Sequence, residues 1–157
     1  MQLVLLVVGK TDSKQIDALI AQYADRLKHY LPFSLQVIPD VRRSGKLSAD
    51  EQKRAEGAEI LRLLQSSDRL VLLDERGKEL TSRAFAGYME KAMASGLRRL
   101  VFLIGGPYGF SEEVYGRADD QVSLSKMTFS HQMVRLFAVE QLYRAQTILR
   151  GETYHHD

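Results

Sequence analysis

Three short runs of Leu, Val, Ile and Phe constrain this chain more than any other feature. Leu3 to Val8, Leu70 to Leu73 and Leu100 to Ile104 are continuously apolar. Runs this short, without polar alternation, read as strands covered on both faces, as in a parallel sheet layered with helices. Helical spacing fills the intervals. Ile16, Leu19, Ile20, Tyr23, Leu27 and Tyr30 fall on one stripe, with Asp12 or Ser13 placed as the cap and Pro32 closing the segment. Phe33 to Ile38 alternates more and reads as a second strand. Ser48 and Glu51 form a capping box that opens a helix to about Leu64. A turn around Gly77 leads into a helix through Phe85, Met89 and Met93, and Ser111 with Glu112 and Glu113 opens a short one. Val122 to Leu124 is a brief last strand, and His131 to Leu149 is a long closing helix stopped by Gly151. The alternation predicts a single α/β domain over 1–157, three layers deep, with a mostly parallel sheet.

Composition narrows the chemistry. The 157 residues are 45% hydrophobic, enough for a core that needs no disulfide or metal. There is no cysteine, which excludes thiolate zinc sites and cysteine nucleophiles. The run Leu3 to Val8 is too short for a signal-peptide core or a membrane span, so a cytoplasmic location without membrane contact is expected. A net charge of +2 is weak for a protein that holds naked RNA by charge alone.

Two regions carry candidate chemistry. Gly105-Gly106-Pro107-Tyr108-Gly109 follows a buried strand, and open parallel sheets bind ligands beyond the carboxyl ends of their strands. The cluster lacks the G-x-G-x-x-G spacing and a Walker lysine, so a plain tight turn stays open beside a ligand-binding role. The closing helix is apolar nearly all round, from Met133, Val134, Leu136 and Phe137 to Ile148 and Leu149. Such a helix is buried on several sides, either inside its own domain or against a second copy, and a homodimer is the expectation. Glu140 and Arg144 share one face, where the Arg144 fork needs a carboxylate or an anionic ligand. Arg135 lies on another side, so the helix is expected to present two guanidinium groups in two directions. Tyr154, His155 and His156 are either a frayed end or an aromatic and imidazole pair suited to stacking on a nucleobase. Adjacent histidines diverge, and no metal site is expected. Arg42, Arg43 and Lys46 form a basic loop, a weak RNA-contact signal against the alternative of a solvated loop.

From Ile104 onward the motifs become specific in combination. Ile104-Gly105-Gly106-Pro107-Tyr108-Gly109, Leu124 through Arg135, Glu140-Gln141-Leu142-Tyr143-Arg144-Ala145 and Tyr154-His155-His156 resemble the ribosomal RNA large subunit methyltransferase H family of the SPOUT superfamily. The opening Val8-Gly9-Lys10 and the chain length match as well. The resemblance implies a trefoil knot within about residues 70–157, a homodimer and S-adenosylmethionine as cofactor. It implies methylation of N3 of a pseudouridine in large-subunit (23S) ribosomal RNA; the weak positive charge leans toward the assembled ribosome over free RNA as the substrate. Carried over by position, Leu73, Gly105, Leu124, Ser125, Lys126, Met127, Thr128 and Phe129 border the cofactor. Tyr154 and His155 reach toward the target base, with Arg144 and His131 near the reaction site.

Within that reading, Arg144 or Arg135 is the candidate to stabilise the base anion, and His131 or His155 the candidate base. Ser130 stands where many members have proline. Serine there is expected to cap the helix that follows. Three rivals remain at this point: a flavin- or nicotinamide-binding domain, a non-catalytic ribosome-associated module, and a sister methyltransferase acting on transfer RNA.

Overall fold

A computed structural model describes residues 1–41 and 47–156. The basic loop of Arg42, Arg43 and Lys46 therefore lies outside the described residues. Ten elements alternate: β1 (Gln2–Val8), α1 (Lys14–Lys28), β2 (Phe33–Ile38), α2 (Ala49–Leu63), β3 (Arg69–Glu79), α3 (Ser82–Ala94), β4 (Arg99–Ile104), α4 (Glu112–Arg117), β5 (Asp120–Ser123) and α5 (Met133–Leu149).

The strands pair in the order β2-β1-β4-β3-β5, every pair parallel. Successive side chains of a strand point to opposite faces, and both faces are covered. Leu3, Leu5, Val7, Leu100, Phe102 and Ile104 pack toward α1, α3 and α5, against Ile20, Leu27, Phe85, Met89, Val139 and Leu142. Val4, Leu6, Val101 and Leu103 face the other way, against Ile60 of α2 and Val114 of α4. This is the three-layer arrangement expected from the apolar runs.

Local signals place the helix starts. Ser13 Oγ accepts from the Ile16 N–H, and Ser48 Oγ from the Glu51 N–H. Thr81 Oγ1 accepts from Ala84 N–H, and Ser111 Oγ from Val114 N–H. Each satisfies one of the donors a helix leaves free at its amino end.

β3 departs from the sequence reading. It does not end at Asp74 and turn at Gly77 but runs on to Glu79. Its pairing with β5 breaks between Leu73 and Lys78, both of which lie opposite Val122. The four intervening residues bulge out of the ladder. Gly77 allows this by pressing against the neighbouring strand: a Cβ there would sit 2.6 Å from the Val122 backbone nitrogen. Its role is close approach of two backbones, not a turn. The bulge pushes Asp74 and Glu75 out beyond the sheet.

α5 lies against both α1 and α3 as well as the sheet, so its own domain covers most of its apolar circumference. Met133 and Phe137 remain 36% and 37% exposed on the uncovered side.

Candidate active site at the strand ends

A cleft of about 350 Å³ opens at the bulge of β3 and beyond the carboxyl ends of β4 and β5, within the size range of small-molecule sites. Leu73, Asp74 and Glu75 form one wall, and Ile104 with the turn from Gly105 to Gly109 forms the second. Ser123, Leu124, Ser125, Met127, Thr128 and Phe129 form the third. Ser130, His131 and Val134 complete the rim from the start of α5, and Phe110 and Tyr115 close the floor.

The glycine turn is held from below. Gly109 N–H donates to Gly106 O at 3.1 Å. A Cβ on Gly106 would meet Glu56 Oε2 at 2.6 Å, so only glycine lets the turn rest on that buried carboxylate. On the opposite wall, Ser123 Oγ donates to Ser125 O at 2.8 Å and Met127 N–H donates to Ser125 Oγ at 2.9 Å. Thr128 Oγ1 donates to Glu75 Oε2 at 3.1 Å, bridging the acidic wall and the hydroxyl-bearing one.

Asp74 is fixed by two donors. Tyr115 OH donates to its Oδ2 at 2.6 Å, and the Arg76 N–H to its Oδ1 at 3.1 Å. Burial, together with the Asp74 hydrogen bond and charge, pushes the Tyr115 phenol up to about 12. Among the described residues no Lys or Arg lines the cleft. Its charged side chains are Asp74 and Glu75.

The start of α5 is laced to the end of β1. Gln132 Oε1 accepts from the Asp12 N–H at 2.9 Å, and Gln132 Nε2 donates to Lys10 O at 3.3 Å. Ser130 Oγ accepts from the Met133 N–H at 3.0 Å, but the cap position of α5 is Gln132, whose side chain makes no capping bond. Arg135 overturns its expectation. It is only 1% exposed, and its guanidinium donates to Val8 O, Gly9 O, Thr11 Oγ1 and His131 O at 2.8 to 3.1 Å. Burial lowers its pKa from the usual arginine value. With its N–H groups engaged inside the fold, Arg135 is a brace under the cleft rim and presents nothing to a substrate.

Lys126 also departs from its expectation. Its side chain is 84% exposed and lies 3.9 Å from Glu79, outside the cleft. The other residues expected around a cofactor, Leu73, Gly105, Leu124, Ser125, Met127, Thr128 and Phe129, all line the one cleft. His131 shares its rim.

Arg144, Tyr154 and His155 gather elsewhere, at the far end of α5. Arg144 Nη2 donates to Glu140 Oε1 at 2.6 Å, and Tyr154 OH donates to the same oxygen at 2.8 Å. The Arg144 guanidinium sits 4.7 Å from the Tyr154 ring centroid. Tyr154 meets Tyr143 edge-on at 4.8 Å. Burial lowers the Arg144 pKa, but the Glu140 hydrogen bond and charge outweigh it and the net shift is upward. Burial, with Tyr23 and Glu140, raises Tyr154. Arg144 Nη1 lies 3.1 Å from His155 Nδ1. A guanidinium only donates, so Nδ1 is the acceptor and His155 carries its proton on Nε2. At 1.5 Å per residue, His131 and Arg144 are ~20 Å apart along α5. One chain therefore does not bring its tail cluster to its own cleft.

Sequence reasoning missed Asp74, Glu75 and Tyr115. The rule that ligands sit beyond strand ends pointed at Asp74. Tyr115 left no signal, because only the packing of α4 brings it there. Among the described residues, no group of three or more metal-ligating side chains is placed to hold an ion.

The family described as predicted SPOUT methyltransferase matches residues 1–155. The chain is 58% identical over 156 residues to the ribosomal RNA large subunit methyltransferase H of Christiangramia forsetii, covering 99% of each. It is 57% identical to the protein of that name from Porphyromonas gingivalis and 52% identical to that from Bacteroides thetaiotaomicron, each over 157 residues and the full length of both. On that similarity, and with an all-parallel sheet whose strand ends frame the cleft, the chain belongs to the SPOUT methyltransferases and, within them, to the ribosomal RNA large subunit methyltransferase H family.

Proposed function

We propose that this protein is an S-adenosylmethionine-dependent methyltransferase that methylates N3 of a pseudouridine in large-subunit (23S) ribosomal RNA. The observation that carries the reading is the cleft, walled by Leu73 at the β3 bulge, Gly105 after β4, and Leu124, Ser125, Met127, Thr128 and Phe129 after β5. Its chemistry fits the cofactor. Leu73, Leu124 and Phe129 offer apolar surface to an adenosine, and Asp74 and Glu75 suit a ligand bearing positive charge. The same carboxylates, with no Lys or Arg on the described walls, disfavour the phosphates of a flavin or nicotinamide dinucleotide.

Once bound, S-adenosylmethionine supplies a methyl group on a sulfonium, open to attack by a nitrogen. The chain's own residues orient the partners and handle charge. The turn Gly105–Gly109 and the loop around Ser125 hold the cofactor between them. His131 stands on the rim, exposed, and is the candidate to take the N3 proton. His155 lies beside Arg144 in the tail cluster and is the alternative candidate. Arg144 stabilises the negative charge that develops on the nucleobase.

These groups meet if two chains pair. Phe137, exposed, lies close to the midpoint between His131 and Arg144. An antiparallel, two-fold contact of α5 helices centred there sets His131 of one protomer beside Arg144 of its partner. A groove of about 200 Å³ lined by Leu80, Phe85, Phe129 and Phe137 flanks that face and supports such a contact. The homodimer, the trefoil knot within about residues 70–157 and a cytoplasmic location belong to this reading. No described helix is long and apolar enough to cross a membrane. A net charge of +2 favours a folded, preassembled ribosomal surface over naked RNA. Mass spectrometry of ribosomal RNA from a strain lacking the gene tests the function. Loss of one methylated pseudouridine, restored by the gene, is expected, and an unchanged spectrum refutes it.

A further inference from the structure

The cleft holds a half-buried pair whose fixed geometry the proposed mechanism leaves unused. Tyr115 OH and the Arg76 N–H each hold one oxygen of Asp74, so the carboxylate is fixed in a single orientation at the cleft wall. Phe110 packs edge-on to Tyr115 at 5.5 Å. Each carboxylate oxygen so held keeps a further lone pair for a ligand. Glu75 beside it is exposed and engaged by Thr128. The orientation of Asp74 is therefore the better defined of the two.

Methyl transfer changes the cofactor in one electrostatic respect. The nitrogen–carbon bond forms as the sulfur–carbon bond breaks, the sulfur keeps the electron pair, and a sulfonium becomes a neutral thioether. Every other polar group of the cofactor is the same before and after. A fixed carboxylate in a cleft with no compensating Lys or Arg among its described walls attracts the first form and is indifferent to the second.

We propose that Asp74, oriented by Tyr115, is the residue by which this cleft prefers S-adenosylmethionine to its demethylated product, S-adenosylhomocysteine. The proposal rests on S-adenosylmethionine being the cofactor and adds a direction to its use. Attraction at Asp74 falls away once the methyl group has left, so spent cofactor is released and replaced. Asp74 is in this sense a specificity-determining residue, and Tyr115 a positioning one.

Isothermal titration of the intact protein with three ligands tests this. S-adenosylmethionine and sinefungin both carry positive charge at the sulfur position, the latter on an amine. S-adenosylhomocysteine does not. In Asp74→Asn, which preserves shape, the two cationic ligands are expected to weaken about tenfold and S-adenosylhomocysteine by less than twofold. Asp74→Ser repeats the measurement should the first variant melt early. Equal weakening of all three ligands would place Asp74 on a group they share, such as the ribose or the amino-acid end, and overturn the proposal. No change in any of them overturns it too. Wild-type protein that binds none of the three sinks the cofactor reading itself, which is a different result from either.

Discussion

Arg135 braces the cleft rim from inside the fold, with its donors on three carbonyls and a hydroxyl. Arg135→Met keeps the apolar stem and leaves Val8 O, Gly9 O and His131 O without that donor. Leaving such groups unsatisfied is expected to cost about 3 kcal/mol, or about 10 °C in melting temperature for a domain of this size. Differential scanning calorimetry checks this, and a loss under 2 °C would show the brace to be dispensable. Tyr30 and Tyr115 give a second prediction. Burial, then the carboxylates of Glu152 and Asp74 respectively, raise both phenols to about 12. An unfolded chain releases such protons near pH ~10. Stability from these groups is therefore complete below that pH and is lost as pH climbs from about 10 toward 12, because the unfolded state sheds protons first. Denaturant melts across pH 9 to 12 should decline with a slope that Tyr115→Phe reduces. An unaltered slope would mean Tyr115 titrates normally.

At the scale of elements, the closing segment after α5 docks on the helix it follows. Tyr154 reaches Glu140 and Tyr143, so the tail is ordered by contact and not frayed. Under the proposed function its polar ends serve the substrate. Removing residues 154–157 is expected to lower methylation at least a hundredfold, with cofactor affinity changed less than threefold and melting temperature by only a few degrees. A collapse of melting temperature on truncation would reassign the tail to the fold. The elements also mark how far the sequence could be read. Helix starts followed from Ser13, Ser48 and Ser111, because a cap is a local bond between near neighbours; the Thr81 cap of α3 was missed. The strands β1 and β4 followed from uninterrupted apolar runs. The bulge in β3 did not, since Gly77 has its reason in a strand more than forty residues later. For the same reason Asp74 and Tyr115 stayed hidden, although the residues around them in the cleft were found through family motifs. Arg135 was misread on the same account: a helical wheel turns it outward, and only the arrival of β1 beneath α5 makes that side an interior.

At the scale of the molecule, the proposed function assigns chemistry to groups at opposite ends of α5, which a second copy would bring together. Phe137→Glu puts a charge at the centre of the inferred contact; Phe137 lines the flanking groove and not the cleft, and its one ring contact with a cleft residue is to Phe129 at 5.0 Å. Light scattering should then report a species near the 17.8 kDa chain mass instead of twice that. Methylation should fall by at least a hundredfold with cofactor binding retained. A monomeric wild type, or a dimeric and fully active variant, would remove the shared site from consideration.

The bonds from Arg135 to Val8 O and Gly9 O span 127 and 126 positions of sequence. The earliest strand and the latest helix thus finish the rim together. A polypeptide still under synthesis, with β1 made and α5 not yet emerged, lacks the side chain that joins them. Under the proposed function, competence to hold the cofactor is therefore expected only after α5 has been made.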